Sequence, residues 1–348
     1  MRYGLIAEKS FEALWINDSS AAPAAYDALL PLLQAKALML FVRLGIVDLL
    51  YAHAQTAQEL SRSSGLDETA LRLLLRVVAA AGYAKCDGGR FSLTERSRRG
   101  LCEGARATRR AHIRFIELIW SAIGQMEGSL RSGLGLDMHA LLRGEDEWAV
   151  YQQSMLEDAR VGASVVAALL PVPNGARKLL DVAGAHGAYA AALCRTHPPM
   201  RGEVLELPEA LEESMRIARA AGHSDVISHR AGNALFDDLG TGFDVAVLSN
   251  ILHHLDASQC SRLMYRVRAA LNRNGTVGIW DWRPSGDEEA PDLLSDGVAL
   301  FFRTCSAGQC HATQDYCDWL REAGFTDVVV RTSAIAPQQA LVCGRVAA

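Results

Sequence analysis

The chain has 348 residues, 50% of them hydrophobic, and its 35 basic and 40 acidic residues give a formal net charge of −5. Its length allows two globular domains, and its charge argues against nucleic acid as the main partner, although a basic cluster lies between Ser97 and Arg110. Because no run approaches the ~20 apolar residues of a membrane span, Glu8 and Glu12 interrupt the N-terminal segment, and the 8 cysteines are scattered, we expect a reduced, cytoplasmic protein without a membrane helix or signal peptide.

The N-terminal part of the chain predicts a series of helices. An apolar helical pattern runs over residues 26–50. Thr56 and Glu59 form a capping box that opens a short helix, and Gly65 ends this helix. Asp67 caps the next helix, whose apolar residues share one face: Leu71, Leu74, Leu75 and Val78.

Residues 83–93 predict a hairpin with its turn at residues 87–89. Helix, turn, helix and hairpin form a winged-helix arrangement, which is compatible with two functions. A winged helix can bind DNA through its second helix. After Arg72 and Arg76, however, this helix presents mostly Leu, Val and Ala, which favours burial against a second subunit over contact with phosphates.

Residues 110–170 predict helix throughout, with methionine and aromatic residues at helical spacing. Most such residues belong to a core, but Trp148 and Met155 are candidates for lining a pocket. The sequence PVPNG at residues 171–175 predicts a linker. We therefore expect three segments, over residues 1–110, 111–172 and 173–348.

Strands and helices alternate beyond the linker. The apolar runs predict strands, each preceded by a helical segment, at residues 179–183, 203–207, 226–229, 244–248 and 276–282. This order implies a mostly parallel sheet. The last two predicted strands, 328–331 and 340–344, are separated by about eight residues, which is too few for a parallel crossover, so they should form an antiparallel hairpin.

The sequence LLDVAGAHGAY at residues 179–189 predicts a strand, a tight turn and a helix. Gly184 and Gly187 would let a ligand lie directly on this turn. Glu206 ends the next predicted strand, where doubly wound folds place an acid that binds a ribose diol. Because a third glycine and a Gly-Lys-Ser/Thr motif are missing, the pattern favours an adenosine ligand without a phosphate.

Six segments in this order resemble the small-molecule O-methyltransferases that use S-adenosylmethionine, a family with plant caffeic-acid-type and bacterial antibiotic-pathway members. They are LGIVDLL with the winged helix, the glycine loop at 181–187, ELPEAL at 206–211, AGNALF at 231–236, NILHHLD at 250–256, and AGF near Gly324. The resemblance implies a Rossmann-like methyltransferase sheet, with five parallel strands and an antiparallel terminal hairpin. It also implies an all-helical winged-helix dimerisation domain over 1–110, a substrate-lid region over 111–172, an S-adenosylmethionine-binding catalytic domain over 173–348, and a homodimer.

Eight residues match the positions where this family binds the cofactor. In chain order they are Asp181, Gly184, Gly187, Glu206, Leu207, Asn233, Ala234 and Ser249. The resemblance implies that the two glycines face the amino-acid end of S-adenosylmethionine, that Glu206 holds the ribose hydroxyls, and that the remaining residues include those beside the adenine. This chain departs from the family pattern at Ala183, Ala185 and His186, where glycines are usual, and at Asn233, where an acid is usual.

The resemblance also implies a catalytic group. His253 matches the general base of the family, and His254 is the alternative. Asp281 matches a carboxylate that orients the imidazole. Cys310 stands where the family has a second carboxylate, and it is followed by His311.

Three other functions remain open. His253, Asp281 and His311 would converge on a metal ion in a C-methyltransferase that acts on a keto acid, whereas a structural zinc site is not expected. The second alternative is a hydroxylase or cyclase that retains the cofactor and transfers no methyl group, and the third is a winged-helix regulator that binds DNA. For methyl transfer, the pocket candidates favour a flat, apolar acceptor such as an aromatic ring: Trp120, Trp148, Met155, Trp282, Phe301, Phe302 and His311.

Overall fold

The computed structural model describes residues 23–286 and 289–348. The chain forms two compact units that divide between Glu117 and Leu118. The division therefore follows residue 117, whereas the sequence suggested segment ends at 110 and 172. Residues 118–172 belong to the same compact unit as the large sheet.

The first unit is mainly helical and contains a small antiparallel sheet. Its helices are α1 (Pro23–Arg43), α2 (Ile46–Leu49), α3 (Ala57–Ser64), α4 (Glu68–Ala80), α5 (Glu95–Gly100) and α6 (Arg110–Leu118). Its strands are β1 (Gln55–Thr56), β2 (Ala84–Asp87) and β3 (Arg90–Leu93), in the order β1-β3-β2. The predicted hairpin is thus present and is extended by β1.

The helix ends predicted from local sequence are confirmed. The backbone nitrogen of Glu59 donates to Thr56 Oγ1 at 3.1 Å, and the nitrogen of Thr56 donates to Glu59 Oε2 at 2.7 Å. Gly65 ends α3 in the left-handed conformation, with φ 72°. Asp67 Oδ1 accepts the nitrogen of Ala70 at 2.8 Å and opens α4. These short-range patterns determine where the helices begin and end.

The long apolar pattern over residues 26–50 forms two helices, because Gly45 adopts φ 70° between α1 and α2. One side of α1 exposes large apolar side chains, with 40% to 51% of each surface accessible: Tyr26, Leu29, Leu30, Leu32 and Leu33. By length and composition, Ala24–Arg43 is apolar enough to cross a membrane, which the sequence analysis did not anticipate. A core helix of a soluble protein satisfies the same criterion.

The second unit is built on a seven-stranded sheet with the predicted topology. Its strands are β4 (Lys178–Val182), β5 (Arg201–Glu206), β6 (Ile227–Ala231), β7 (Phe243–Ser249), β8 (Leu271–Trp282), β9 (Phe325–Thr332) and β10 (Gln339–Val346). The order is β6-β5-β4-β7-β8-β10-β9. Strands β4 to β8 pair in parallel, whereas β10 runs antiparallel to both β8 and β9.

Helices pack on both faces of this sheet. The helices of the second unit are α7 (Trp120–Ile123), α8 (Met126–Ser132), α9 (Glu145–Leu169), α10 (Ala188–Thr196), α11 (Pro208–Ala220), α12 (Ala257–Ala270), α13 (Leu293–Cys305) and α14 (Thr313–Glu322). Of these, α7 and α8 pack against α13. Buried residues of the strands and helices form separate apolar clusters on the two faces.

Two details of the predicted helix pattern are wrong. Residues 110–170 are not helical throughout, because Gly133 and Gly144 adopt φ 70° and 81° at the two ends of a break between α8 and α9. No α-helix precedes β7 within the described residues 232–242, where Gly240 and Gly242 adopt φ 78° and 82°. Glycines in this conformation interrupt regular helix.

Candidate functional site

The parallel strands bring the candidate residues to one edge of the sheet. The glycine turn follows β4, Glu206 is the last residue of β5, and His253 lies in a short 3₁₀ turn (Leu252–His254) after β7. Asp281 lies next to the last residue of β8. Open α/β sheets bind ligands in the crevice at the carboxyl ends of their strands.

Both glycines of the turn are required by the surrounding protein. A Cβ added to Gly184 would lie 2.3 Å from Asp181 Cγ. A Cβ added to Gly187 would lie 2.3 Å from Ile227 Cδ1, and Gly187 also adopts φ 65°. The tight packing of the turn therefore excludes side chains at these two positions.

The two alanines of the turn adopt a conformation that favours glycine. Ala183 has φ 54° and Ala185 has φ 48°. For a residue with a Cβ, the left-handed region costs about 1–2 kcal/mol. The surrounding structure must therefore hold the turn in this shape.

Glu206 fixes one side of the turn. Its Oε2 accepts the backbone nitrogen of Ala185 at 2.7 Å, and its Oε1 accepts that of Leu207 at 2.8 Å. Burial raises the pKa of Glu206, and these two backbone donors oppose the increase. The carboxylate is thus held at the end of β5 in one orientation.

Histidines hold the other side of the turn, a feature that the sequence analysis missed. His229 Nε2 lies 2.9 Å from the carbonyl oxygen of Ala185, and His223 Nδ1 lies 2.9 Å from that of His186. Burial lowers the pKa of His186 to about 3 and also lowers the pKa values of His223 and His229. All three rings are therefore neutral near pH 7.

Two buried polar atoms near this turn find no hydrogen-bond partner among the described residues: Asp181 Oδ1 and Ser249 Oγ. Asp181 Oδ2 accepts the backbone nitrogen of Ala190 at 3.3 Å. Burial raises the pKa of Asp181 to about 7. Buried polar groups normally have partners, so these atoms mark a place where a polar ligand or water fits.

Asn233 forms a local turn after β6. Its Oδ1 accepts the backbone nitrogen of Leu235 at 2.9 Å, and its own backbone nitrogen donates to Asp237 Oδ2 at 2.8 Å. The carbonyl oxygen of Ala234 accepts Arg266 Nε at 3.0 Å. Because the Asn233 oxygen has a second lone pair, it can still accept from a ligand amine.

His253 and Asp281 form a buried pair. His253 Nδ1 lies 2.5 Å from Asp281 Oδ1, and the side chains are 3% and 0% exposed. Asp281 also accepts the backbone nitrogens of Leu252 at 3.0 Å and Trp282 at 2.7 Å. Since a carboxylate accepts, the Nδ1 proton faces Asp281, and Nε2 makes no hydrogen bond within the described part of the chain.

A polar chain supports the segment before His253. The backbone nitrogen of Asn250 donates to the carbonyl oxygen of Trp280 at 2.8 Å. Asn250 Nδ2 donates to Tyr189 Oη at 3.0 Å, and Gln339 Nε2 donates to Asn250 Oδ1 at 2.7 Å. These contacts connect Asn250 to three separate elements, and no local sequence pattern indicates them.

His254 and His311 have other partners. His254 Nδ1 lies 2.9 Å from Ser306 Oγ, and buried His311 places Nε2 3.0 Å from the carbonyl oxygen of Leu255. Cys310 is buried, which raises the pKa of its thiol. Within residues 23–286 and 289–348, no three His, Cys, Asp or Glu side chains are close enough together to hold a metal ion.

The structure brings some of the expected pocket residues to the site. The ring of Phe302 lies 3.8 Å from that of His253, centroid to centroid, at 34°, and Phe301 contacts Phe302 edge-on. His186 lies close to the backbone of Met155. Helix α9 also packs against α10, the helix that follows the glycine turn. Trp148 packs edge-on against Tyr151 at 5.7 Å, and Tyr151 lies one helical turn before Met155.

Comparison with known proteins gives consistent results. Residues 129–326 match a family model described as an O-methyltransferase domain. The chain is 33% identical over 156 residues to 3-hydroxy-5-methyl-1-naphthoate 3-O-methyltransferase of Streptomyces sahachiroi, covering 44% of this chain and 45% of that one. It is 28% identical over 309 residues to 3-amino-4-hydroxybenzoate 4-O-methyltransferase of Streptomyces cremeus, covering 84% and 82%. For the first two relatives found, the chain spans about half their length.

Solved structures share the fold. The mitomycin 7-O-methyltransferase MmcR superposes with a TM-score of 0.82 at 23% identity, over 94% of this chain and 98% of that one. Human N-acetylserotonin methyltransferase in complex with S-adenosylmethionine superposes with a TM-score of 0.84 at 18% identity, over 95% and 99%.

Proposed function

Since the chain belongs to the O-methyltransferase family, we propose that it transfers a methyl group from S-adenosylmethionine to a hydroxyl group of a small, aromatic secondary metabolite. The buried pair of His253 and Asp281, beside the glycine turn and Glu206 at one edge of the sheet, carries this proposal. Two relatives support a phenolic acceptor, since they are named for the methylation of a hydroxynaphthoate and a hydroxybenzoate.

The residues of the glycine turn fit S-adenosylmethionine. Glu206 presents a fixed carboxylate suited to the two ribose hydroxyls, and Ser249 has a buried hydroxyl without a partner among the described residues. Asn233 and Ala234 would bind the adenine, with Leu207 beside it. Bound S-adenosylmethionine supplies an electrophilic methyl group on a positively charged sulfur.

His253 is the general base in this proposal. Asp281 holds the proton on Nδ1, so Nε2 is the nitrogen that accepts the proton of the acceptor hydroxyl. The carboxylate then stabilises the positive charge that develops on the ring. His254 is a poorer candidate because its Nδ1 already contacts Ser306.

An aromatic acceptor fits the environment of the base. Phe302 stacks on His253 and provides an apolar surface at the place where the hydroxyl must arrive. Aromatic rings prefer such offset or edge-on contacts with other rings. Trp148, Met155 and Trp282 complete the proposed binding surface.

No observation favours the alternative functions. A metal-dependent C-methyltransferase would use His311, but this side chain contacts the Leu255 carbonyl and Cys260. DNA binding would use basic side chains of the first unit, but Arg99 and Arg110 pair with acidic side chains. A catalyst that keeps the cofactor without transferring its methyl group is excluded only by product analysis.

We also propose a cytoplasmic homodimer. The apolar side of α1, formed by Tyr26, Leu29, Leu30, Leu32 and Leu33, would be buried between two copies of the chain. A monomer at micromolar concentration in analytical ultracentrifugation would contradict the dimer.

The experiment that tests the activity is a screen of phenols and hydroxylated aromatic acids with S-adenosylmethionine labelled in its methyl group. We expect a labelled methyl ether, one S-adenosylhomocysteine per turnover, unchanged activity in chelator, and a loss of about 100-fold or more in His253→Gln. Product formation without label transfer would contradict methyl transfer. Full activity in His253→Gln would contradict the assignment of the base.

A further inference from the structure

The glycine turn contains an unusual combination of residues and conformations. Ala183 and Ala185 occupy left-handed backbone positions that residues with a Cβ rarely adopt, whereas Gly184 has no positive φ and is required only for space. An alanine in such a position relaxes unless the surrounding structure holds it. The contacts of Ala185 therefore determine the shape of the turn.

The peptide groups around Ala185 are held from two sides. On one side, Glu206 accepts its nitrogen at 2.7 Å. On the other side, His229 contacts its carbonyl oxygen at 2.9 Å, and His223 contacts the next carbonyl oxygen, that of His186, at the same distance. Because carbonyl oxygens only accept, both imidazoles must donate.

The two donors come from one short segment of the chain. His223 begins the 3₁₀ turn His223–Asp225, and His229 lies in β6, the strand that follows this turn. Strand β6 is one of the two edge strands of this sheet and pairs with β5, which carries Glu206. Glu206, His229 and His223 therefore lie on two neighbouring strands and the turn between them, and all three contact the glycine turn.

We propose that His229 and His223 are positioning residues that hold the alanine-containing turn in the shape that binds S-adenosylmethionine. Their hydrogen bonds stabilise Ala185 in the left-handed conformation, which a glycine at this position would adopt without support. This inference rests on the proposed function, because it requires the turn to bind the cofactor. The histidines act on the ligand only through the backbone of residues 185 and 186.

The test is calorimetric binding of S-adenosylhomocysteine to the full chain, which needs no acceptor. His229→Leu removes the donor, and we expect its Kd to rise about tenfold, the equivalent of one lost hydrogen bond with the relaxation that follows. His229→Gln places an amide N–H near the position of Nε2, so its Kd should stay within about threefold of the wild-type value. His223→Leu and His223→Asn form the corresponding pair for Nδ1.

A double-mutant cycle separates positioning from general stability. In an Ala185→Gly background, His229→Leu should raise the Kd by less than about threefold, because glycine adopts the left-handed conformation without support. An equal tenfold loss in both backgrounds would overturn the inference, as would wild-type affinity in His229→Leu. The exposed His53 of the first unit provides the control His53→Leu, which should leave the Kd unchanged.

Two further measurements keep the outcome clear. If His229→Leu lowers the Tm below the assay temperature, His229→Asn replaces it, since this polar side chain is too short to reach the carbonyl oxygen of Ala185. Retained affinity in His229→Asn would then overturn the inference. Failure of the wild-type chain itself to bind S-adenosylhomocysteine would contradict the proposed function, whereas binding that is insensitive to residue 229 contradicts only the role of the histidines.

Discussion

Replacing Asp281 by asparagine tests how the catalytic pair works. Among the described residues, Asp281 Oδ1 accepts from two groups, His253 Nδ1 and the backbone nitrogen of Trp282, whereas Oδ2 accepts only from the nitrogen of Leu252. An asparagine amide pointing toward the Oδ1 side would face two donors, and one pointing toward the Oδ2 side would face a single donor. The asparagine oxygen should therefore keep its place beside His253.

This orientation preserves the tautomer of His253 and removes only the charge of residue 281. A hydrogen bond to a charged group is worth about 1.5–3 kcal/mol and a neutral one about 0.5–1.5 kcal/mol, so the loss of about 1–1.5 kcal/mol corresponds to a decrease of about 5- to 13-fold in kcat. The assay is single-turnover methyl transfer to the acceptor found in the phenol screen, with both substrates saturating. Asp318→Asn, which alters an exposed pair with Arg321, is the matched control and should retain full activity.

Two results would refute this reasoning. An unchanged kcat in Asp281→Asn would mean that the carboxylate does not support the base. A decrease of about 10⁴-fold or more would mean that the imidazole has changed its tautomer, as expected when an amide N–H replaces the accepting oxygen.

Three further predictions concern the glycine turn. Ala183→Gly and Ala185→Gly should each raise the free energy of unfolding by about 0.5–1 kcal/mol, because relief of left-handed strain exceeds the entropy cost of glycine; a lower midpoint in urea would contradict this. Gly187→Ala should destabilise the protein by about 2 kcal/mol or more, since the methyl group meets Ile227 Cδ1 at 2.3 Å, and an unchanged Tm would be the contrary result. The pKa of Asp181 is raised from 3.8 to about 7 in the folded chain, so ionisation lowers the free energy of unfolding as the pH rises from 4 to 7. Asp181→Asn should remove on the order of 2–4 kcal/mol of this pH-dependent decrease. Parallel profiles of unfolding free energy against pH for the two proteins would contradict this.

The sequence predicted those features that depend on neighbouring residues. Thr56 with Glu59, Gly65 and Asp67 determine helix ends over one or two turns, and all three ends are present. The parallel direction of the first five strands and the terminal hairpin followed from the alternation of apolar runs and from loop length. The breaks at Gly133 and Gly144 were missed because a glycine within an apolar helical pattern does not by itself show whether the helix ends.

Contacts between residues distant in the sequence were harder to predict. The pairing of His253 with Asp281 was expected only from the resemblance to a family, because nothing in the local sequence connects residues separated by 28 positions. The histidines at 223 and 229 were missed altogether, since an imidazole that supports a backbone carbonyl leaves no pattern in the sequence. His311 was expected in the pocket, but its contact with Leu255 depends on how α12 and α14 pack.

The central claim is that the turn over residues 181–187 and the carboxylate of Glu206 bind an adenosyl ligand without a phosphate. Calorimetric titration of the purified chain with S-adenosylhomocysteine tests it most directly. The account predicts saturable binding with one site per chain, and a Kd about tenfold or more higher in Glu206→Gln, where an amide replaces the acceptor of both backbone and ribose donors. No heat of binding at millimolar ligand, from a chain that unfolds cooperatively on heating, would contradict the claim.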